Sequence, residues 1–258
     1  WVTSKHSRFF LFLLYSIYRK RVHALHRVKA DDSSMLKQPS GRERIALAFL
    51  LGILAAFGPL TIDMYLPSFP EITDALHAKT SFVQLSLTAC LLGLAAGQLV
   101  IGPVSDALGR RRPLIAGILV YVLASLICSA ATHSSMLIAG RFLQGFAASA
   151  GVVLSRAIVR DWFSGRQLTK FFALIMLINS VAPIAAPIVG AGILAFAPWN
   201  GVFVTLSLLG MLIALLVFFR LEESLPPHRR SASSVKSMLQ SFKILLKDRR
   251  FMVFALIQ

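Results

Sequence analysis

Three features of this sequence predict an all-α integral membrane protein with six spanning helices. Of its 258 residues, 56% are hydrophobic and only 15% are charged, where soluble domains carry about a quarter. The apolar residues fall in six long runs, and a run of about 18 or more with few charges is long enough to cross a bilayer. The basic residues cluster between alternate runs. Helices are required because lipid offers the backbone no hydrogen-bond partner.

The elements follow in chain order. Residues 1–44 are expected to be a cytoplasmic N-terminal segment. It opens on Trp1, and its apolar run 9–18 is too short to span. Arg19, Lys20 and Arg21 follow that run, the reverse of a signal peptide's order. Two readings fit residues 1–34: a segment lying flat on the membrane, or sequence foreign to the native protein, with Met35 as the true start. The second is preferred. The runs 45–66, 81–104, 113–132, 136–160, 168–192 and 201–220 each hold about 20 residues or more, enough for the hydrocarbon core at ~1.5 Å per residue. They form a bundle over 45–220. Residues 221–250 read as a cytoplasmic central loop. Val235, Met238, Leu239, Phe242, Leu245 and Leu246 recur there at helical spacing, as in an amphipathic helix on a membrane surface. Residues 251–258 read as the start of a truncated seventh helix.

Topology follows from lysine and arginine. Ten lie in residues 1–44, three are Arg110, Arg111 and Arg112, four are Arg156, Arg160, Arg166 and Lys170, and eight lie between Arg220 and Arg250. That places 25 of 27 on one side, which is expected to be cytoplasmic. Both ends of the bundle are then inside. Trp199 and Trp162 at span ends fit an interfacial aromatic belt. The net charge of +16 would indicate nucleic acid in a soluble chain, but the same topology accounts for it, so no nucleic-acid partner is expected. Cys90 and Cys128 lie inside apolar runs without metal-ligand spacing and read as small packing residues. Gly93 and Gly97, and Ala182, Ala186 and Gly190, stand four apart, as in close helix–helix contacts. No metal cluster, nucleophile–base pair or phosphate loop is present in the sequence, so neither an enzyme nor a cofactor is expected.

Two charges lie deep in the runs. An ionisable residue inside a membrane is costly, which makes it a functional candidate. Asp63 lies ~27 Å along the first run and Arg141 ~8 Å into the fourth from its opposite end. Both reach similar depth in the outer part, and the expectation is that they pair at salt-bridge or one-water distance in at least one state. The segment 102–113, GPVSDALGRRRP, reads as a tight turn in which Gly109 permits the bend and Asp106 accepts hydrogen bonds from a helix N-terminus or an arginine. Asp161, at the end of the fourth run, is expected in the same charge cluster.

The order of Gly102, Asp106, Gly109, Arg110 and Arg111 resembles the signature loop between helices two and three of the major facilitator superfamily. Ala107 stands where that family carries a basic residue. GRFLQGFAASAG, with Arg141, Gln144 and Gly145, resembles the helix-four motif of the drug:proton antiporter branch. SVAPIAAPIVGAG, with Pro187 and Gly190, resembles the antiporter motif of helix five, although Ala186 and Ala191 replace the usual glycines. GPLTIDMYLPSFP, with Asp63, Tyr65 and Pro67, resembles helix one of the Bcr/CflA multidrug efflux branch. Four motifs in order cover most of residues 45–250.

The resemblance implies a twelve-helix major facilitator fold, of which this chain supplies the six-helix N-terminal bundle, built from two inverted three-helix repeats. It implies proton-coupled export of small, mostly lipophilic drugs across the cytoplasmic inner membrane, in partnership with a C-terminal six-helix half and the lipid bilayer. Asp63 and Arg141 would couple protons. Tyr65, Gln144 and Asn179 would contact substrate in the cavity. Gly102, Asp106, Gly109, Arg110, Arg111 and Asp161 would form the inner gate. Pro183, Pro187 and Gly190 would let helix five bend. Two alternatives remain open: a membrane binding or regulatory fragment without transport, and a transporter of an endogenous metabolite.

Overall fold

The structure, a computed structural model, describes residues 41–230. The elements are α1 (Gly41–Asp63), a 3-10 turn (Leu66–Ser68), the short α2 (Phe69–Ala75), α3 (Thr80–Leu108), α4 (Arg111–Ser129), α5 (Ser134–Trp162), α6 (Gly165–Leu194), α7 (Asn200–Arg220) and a second 3-10 turn (Pro227–Arg229). Among the described residues six segments are long and apolar enough to cross a membrane; the first joins α1, the 3-10 turn and α2 over Ala46–Ala75. The expected surface segment at 9–18, amphipathic helix at 235–246 and seventh run at 251–258 lie outside the described residues.

Two boundaries differ from the sequence expectation. The first run is not one helix to residue 66: α1 ends at Asp63 and the chain re-forms as a 3-10 turn and α2. Pro67 and Pro70 account for the break, since each lacks an N–H and crowds the residue before it. The segment 102–113 is mostly helix. α3 runs through Gly102, Pro103 and Asp106 to Leu108, so the turn is only Gly109 and Arg110. Gly109 has φ +92°, a left-handed value that favours glycine and stops the helix.

The bundle is two interlocked three-helix units. α5 sits at its centre, packed on α1, α3 and α4, while α1 also packs on α6 and α4 on α7. The second helix of each unit thus packs on the first helix of the other, and the third helices pack together. Small residues set the spacing. A side chain at Gly93 or Gly97 of α3 would strike the backbone of α5 at Phe142 and Phe146, and one at Gly145 of α5 would strike the backbone of Cys90. On α6 the buried positions are Ile175, Ala182, Ala186 and Gly190; Gly190 lies against the carbonyl of Met64. The opposite face of α6 is correspondingly bare, with Leu177 60%, Ile184 70% and Ile188 70% exposed.

A large apolar core runs through Leu51, Leu54, Leu114, Leu154, Ile158 and Val217. A smaller one, at the far end from Arg110, joins Tyr65, Ile72, Val83, Cys128, Leu137, Trp199 and Phe203. Trp199 is therefore core, 8% exposed, not part of a surface aromatic belt. It is held there because its backbone N–H donates to Glu71 Oε1 at 2.9 Å, which caps α7. Cys90 and Cys128 are free and buried.

The α3–α5 contact makes a paired prediction. Gly145→Ala should destabilise by about 1–3 kcal/mol through overpacking, whereas Gly192→Ala, with open space around it, should be neutral or stabilising because alanine favours helix. Thermal unfolding of the two purified variants in detergent checks this; equal melting temperatures would contradict it.

Candidate functional site

Three polar groupings stand out in an otherwise apolar bundle. The first surrounds Arg141, whose side chain is 0% exposed. Its Nη1 donates to the Thr61 carbonyl at 3.0 Å and to Gln144 Oε1 at 2.7 Å. Gln144 Nε2 donates to Ser125 Oγ at 2.8 Å, and Ser125 Oγ donates to the Tyr121 carbonyl at 2.8 Å. Thr61 Oγ1 donates to the Phe57 carbonyl, which leaves the Tyr121 hydroxyl as donor in the 2.8 Å bond between them. The guanidinium carbon lies 4.3 Å from the Tyr65 ring centroid and 5.7 Å from that of Phe203, where the π faces attract a cation. The Tyr65 hydroxyl is bonded to Ser86 Oγ at 2.8 Å. Arg141 Nε and Nη2 have no acceptor.

The expected pairing of Arg141 with Asp63 is absent from this structure: among the described residues no carboxylate pairs with the guanidinium. The cause is helical phase. Thr61 offers Arg141 its carbonyl from the bundle side of α1, while Asp63, two residues on, faces a different direction. Arg141 reaches the level of Thr61, two residues from Asp63, but a shared level does not fix facing. Tyr65 and Gln144 are both 0% exposed and serve the Arg141 network; neither lines the cleft described next.

The second grouping is a cleft of about 310 Å³ between α1, α3, α5 and α6, lined by Ala55, Pro59, Ile62, Asp63, Leu94, Val152, Arg156, Asn179 and Pro183. Of the expected cavity residues, Asn179 is in it, together with Asp63. Arg156 was counted in the sequence only as a basic residue near a span end. The structure places it in the wall of the cleft. The signal was available: Arg156 lies inside the span Ser134–Trp162, one turn before Arg160. α6 stays α-helical across Pro183, Pro187 and Gly190; Pro183 faces the cleft and Gly190 serves the contact with Met64.

The third grouping lies at the basic end. Arg110 Nε donates to Asp161 Oδ2 at 3.0 Å, and Nη1 donates to Ser105 Oγ at 2.6 Å and to Asp106 Oδ1. The structure thus brings Asp106, Arg110 and Asp161 together. Burial opposes the Arg110 charge, but Asp161 first and Asp106 next outweigh it and hold the guanidinium protonated more firmly than an ordinary arginine. Glu223, which the sequence reading passed over, completes the cluster. Its Oε1 accepts from the Arg110 N–H at 2.7 Å and its Oε2 from the Arg111 N–H at 3.3 Å, a carboxylate on the positive end of α4. Ser224 Oγ donates to Asp161 Oδ2 at 3.1 Å. Gly109 is needed twice over, because a Cβ there would meet the Glu223 carboxylate. Arg111 Nη2 donates to the Phe218 carbonyl at 2.6 Å. Gly102 supplies only its carbonyl, to Ser105 Oγ at 2.7 Å.

Residues 47–258 match the model of the Major Facilitator Superfamily. The chain is 57% identical over 224 residues to "Uncharacterized MFS-type transporter YdgK" of Bacillus subtilis (strain 168), covering 86% of this chain and 56% of that protein. It is 39% identical over 199 residues to a "Bicyclomycin resistance protein homolog" of Haemophilus influenzae, covering 77% of this chain and 50% of the other. Among solved structures, a bacterial homolog of the human lysosomal transporter Spinster, inward-facing and unoccupied, superposes with a TM-score of 0.62 at 15% identity, over 76% of this chain and 46% of that one. The chain thus spans about half the length of the relatives it matches.

The role of Glu223 is open to test. Glu223→Ala removes the carboxylate from the α4 N-terminus and should cost about 1–2 kcal/mol; Glu223→Gln, which keeps one acceptor oxygen, should cost less. Thermal unfolding of the purified variants reads the difference, and an alanine variant as stable as wild type would show the contact to be idle.

Proposed function

The chain belongs to the Major Facilitator Superfamily, and from that premise we propose that it forms the N-terminal half of a proton-driven exporter of small, mostly lipophilic drugs. Relatives named for resistance to bicyclomycin and to multiple drugs support the reading. The observation that carries it is the placement of Asp63. It opens into an apolar-walled cleft and forms no ion pair among the described residues, while Arg141, bonded to the carbonyl of Thr61 two residues before it, holds two unused donors.

In this proposal Asp63 is the proton-responsive carboxylate. With Asp63 ionised and facing the cleft, its carboxylate takes a basic group of the drug, the apolar walls provide most of the drug affinity and Asn179 provides a polar contact; protonation of Asp63 releases the drug. Ionised with the cleft empty, it is drawn toward the spare Nε and Nη2 of Arg141, because a buried charge pair is far less costly than two isolated charges. The break after Asp63, where α1 gives way to a 3-10 turn, gives the backbone room for that turn of the side chain. Proton binding and drug binding then compete for one residue, which is antiport.

The same proposal assigns the basic end and the N-terminus to the cytoplasm, in a bacterial inner membrane. Gly102, Asp106, Gly109, Arg110, Arg111 and Asp161, with Glu223, act as the inner gate. The prolines of α6, Pro183 and Pro187, allow bending while Gly190 holds the helix close to α1. A C-terminal six-helix half supplies the second wall, since alternating access rocks one half against the other.

Asp63→Asn in the complete transporter should reduce proton-driven drug efflux by about a hundredfold or more while leaving the binding of drugs without a basic nitrogen within about threefold, as expected for a proton-transfer group. Efflux from everted vesicles, with and without a protonophore, measures it, and undiminished efflux would remove Asp63 from the mechanism. Cells expressing residues 35–258 alone should show no proton-dependent efflux, and co-expression of the matching C-terminal half should restore it. Efflux by residues 35–258 without a partner half would make a six-helix homodimer the working unit.

A further inference from the structure

The cleft carries opposite charges at its two ends. Along α1 it extends from Ala55 to Asp63, eight residues or ~12 Å at 1.5 Å per residue. Asp63 marks one end. Arg156 and Asn179 mark the other. α5 runs antiparallel to α1, with Gly151 against the Leu54 carbonyl, and α6 brings Ile178 against Gly52, so positions 156 and 179 lie beside the Ala55 end of the cleft. Between the charged ends the walls are Pro59, Ile62, Leu94, Val152 and Pro183.

Among the described residues, neither Asp63 nor Arg156 forms an ion pair, and the Arg156 side chain makes no hydrogen bond. Arg156 sits about six residues, ~9 Å, inside the end of α5. Arg160, one turn further on, already stands where a topological arginine is expected. Arg156 is exposed at the open side of the cleft, where an unpaired guanidinium within a span is a functional candidate and its planar fork suits a carboxylate or similar oxyanion. The Asn179 side chain adds both a donor and an acceptor at the same end.

We propose that this cleft binds amphoteric substrates lengthwise, with an anionic group on Arg156 and Asn179, a basic nitrogen on Asp63, and an apolar body between them. Arg156 is then the residue that sets substrate class. The inference rests on the export reading only in placing the cleft on the transport path. It narrows the substrates from lipophilic drugs in general to zwitterions whose charges stand roughly a cleft length apart.

The test is equilibrium binding to the purified complete transporter at neutral pH, with one scaffold in three charge forms. These are ciprofloxacin as the zwitterion, its methyl ester lacking the anion, and its N-acetyl derivative lacking the cation. The zwitterion should bind about tenfold more tightly than either derivative, the expected worth of one charge-assisted hydrogen bond. Arg156→Ala should abolish its advantage over the ester and preserve its advantage over the N-acetyl form; Asp63→Asn should do the reverse. Arg156→Lys should keep part of the preference, and Asn179→Leu should weaken the zwitterion and N-acetyl form alone. Equal binding of the three forms, no binding of any, or an Arg156→Ala loss shared equally by all three would overturn the proposal. Proton-driven efflux of the same compounds separates the two readings. The charge preference in binding without efflux would defeat the export reading alone, and efflux without that preference would defeat this inference alone.

Discussion

A whole positive charge sealed among apolar helices is the constraint from which much of this structure follows. Arg141 has no carboxylate partner among the described residues, and isolating a cation from water is expensive. The bundle answers with weaker partners held in place: the Thr61 carbonyl, the Gln144 amide oxygen and the faces of Tyr65 and Phe203. Each partner is fixed in turn, Thr61 by Tyr121, Gln144 by Ser125 and Tyr65 by Ser86. The shell around one guanidinium therefore draws on α1, α3, α4, α5 and α7. α6 contributes nothing to it. That helix carries Pro183 and Pro187 and closes the cleft, outside the central polar network.

Close packing makes the burial feasible. Gly93, Gly97 and Gly145 let α3 and α5 touch backbone to backbone, and Gly190 does the same for α6 and the end of α1. In lipid, apolar side chains gain little by leaving their surroundings, so such contacts rest on fit rather than on exclusion of water. The exchanged pairing of helices spreads this fit across both three-helix units. At the basic end the polar cluster acts on a smaller scale. Glu223, arriving from beyond α7, satisfies the N-terminus of α4, and Asp161 from α5 meets Arg110. Three separate chain segments are thereby fastened at one point.

The six spans, their boundaries to within a few residues at most ends, and the small-residue seams were legible because lipid imposes a simple rule on length and polarity. The charge cluster of Asp106, Arg110 and Asp161 was legible from spacing alone. Facing was not. Asp63 and Arg141 share a depth, yet one looks into a cleft and the other into the bundle, and only the packing of α1 decides that. Tyr65 and Gln144 were read as cavity residues because they are polar within spans; the structure uses them to house Arg141. Arg156 was hidden by its membership in a basic group, and Glu223 by its place after the last span, where nothing in the local pattern says that the chain folds back. The break after Asp63 was signalled by Pro67 and Pro70 and masked by the continuing apolar run.

The central claim is that the ionisation of Asp63 selects between two arrangements of the bundle through the spare donors of Arg141. The most direct measurement is the distance distribution between spin labels placed at the basic ends of α3 and of the matching helix in the C-terminal half of the complete transporter, recorded at several pH values. The account predicts two populations whose ratio changes with pH in the wild type and becomes independent of pH in Asp63→Asn. A pH-dependent ratio that persists unchanged in Asp63→Asn would contradict it.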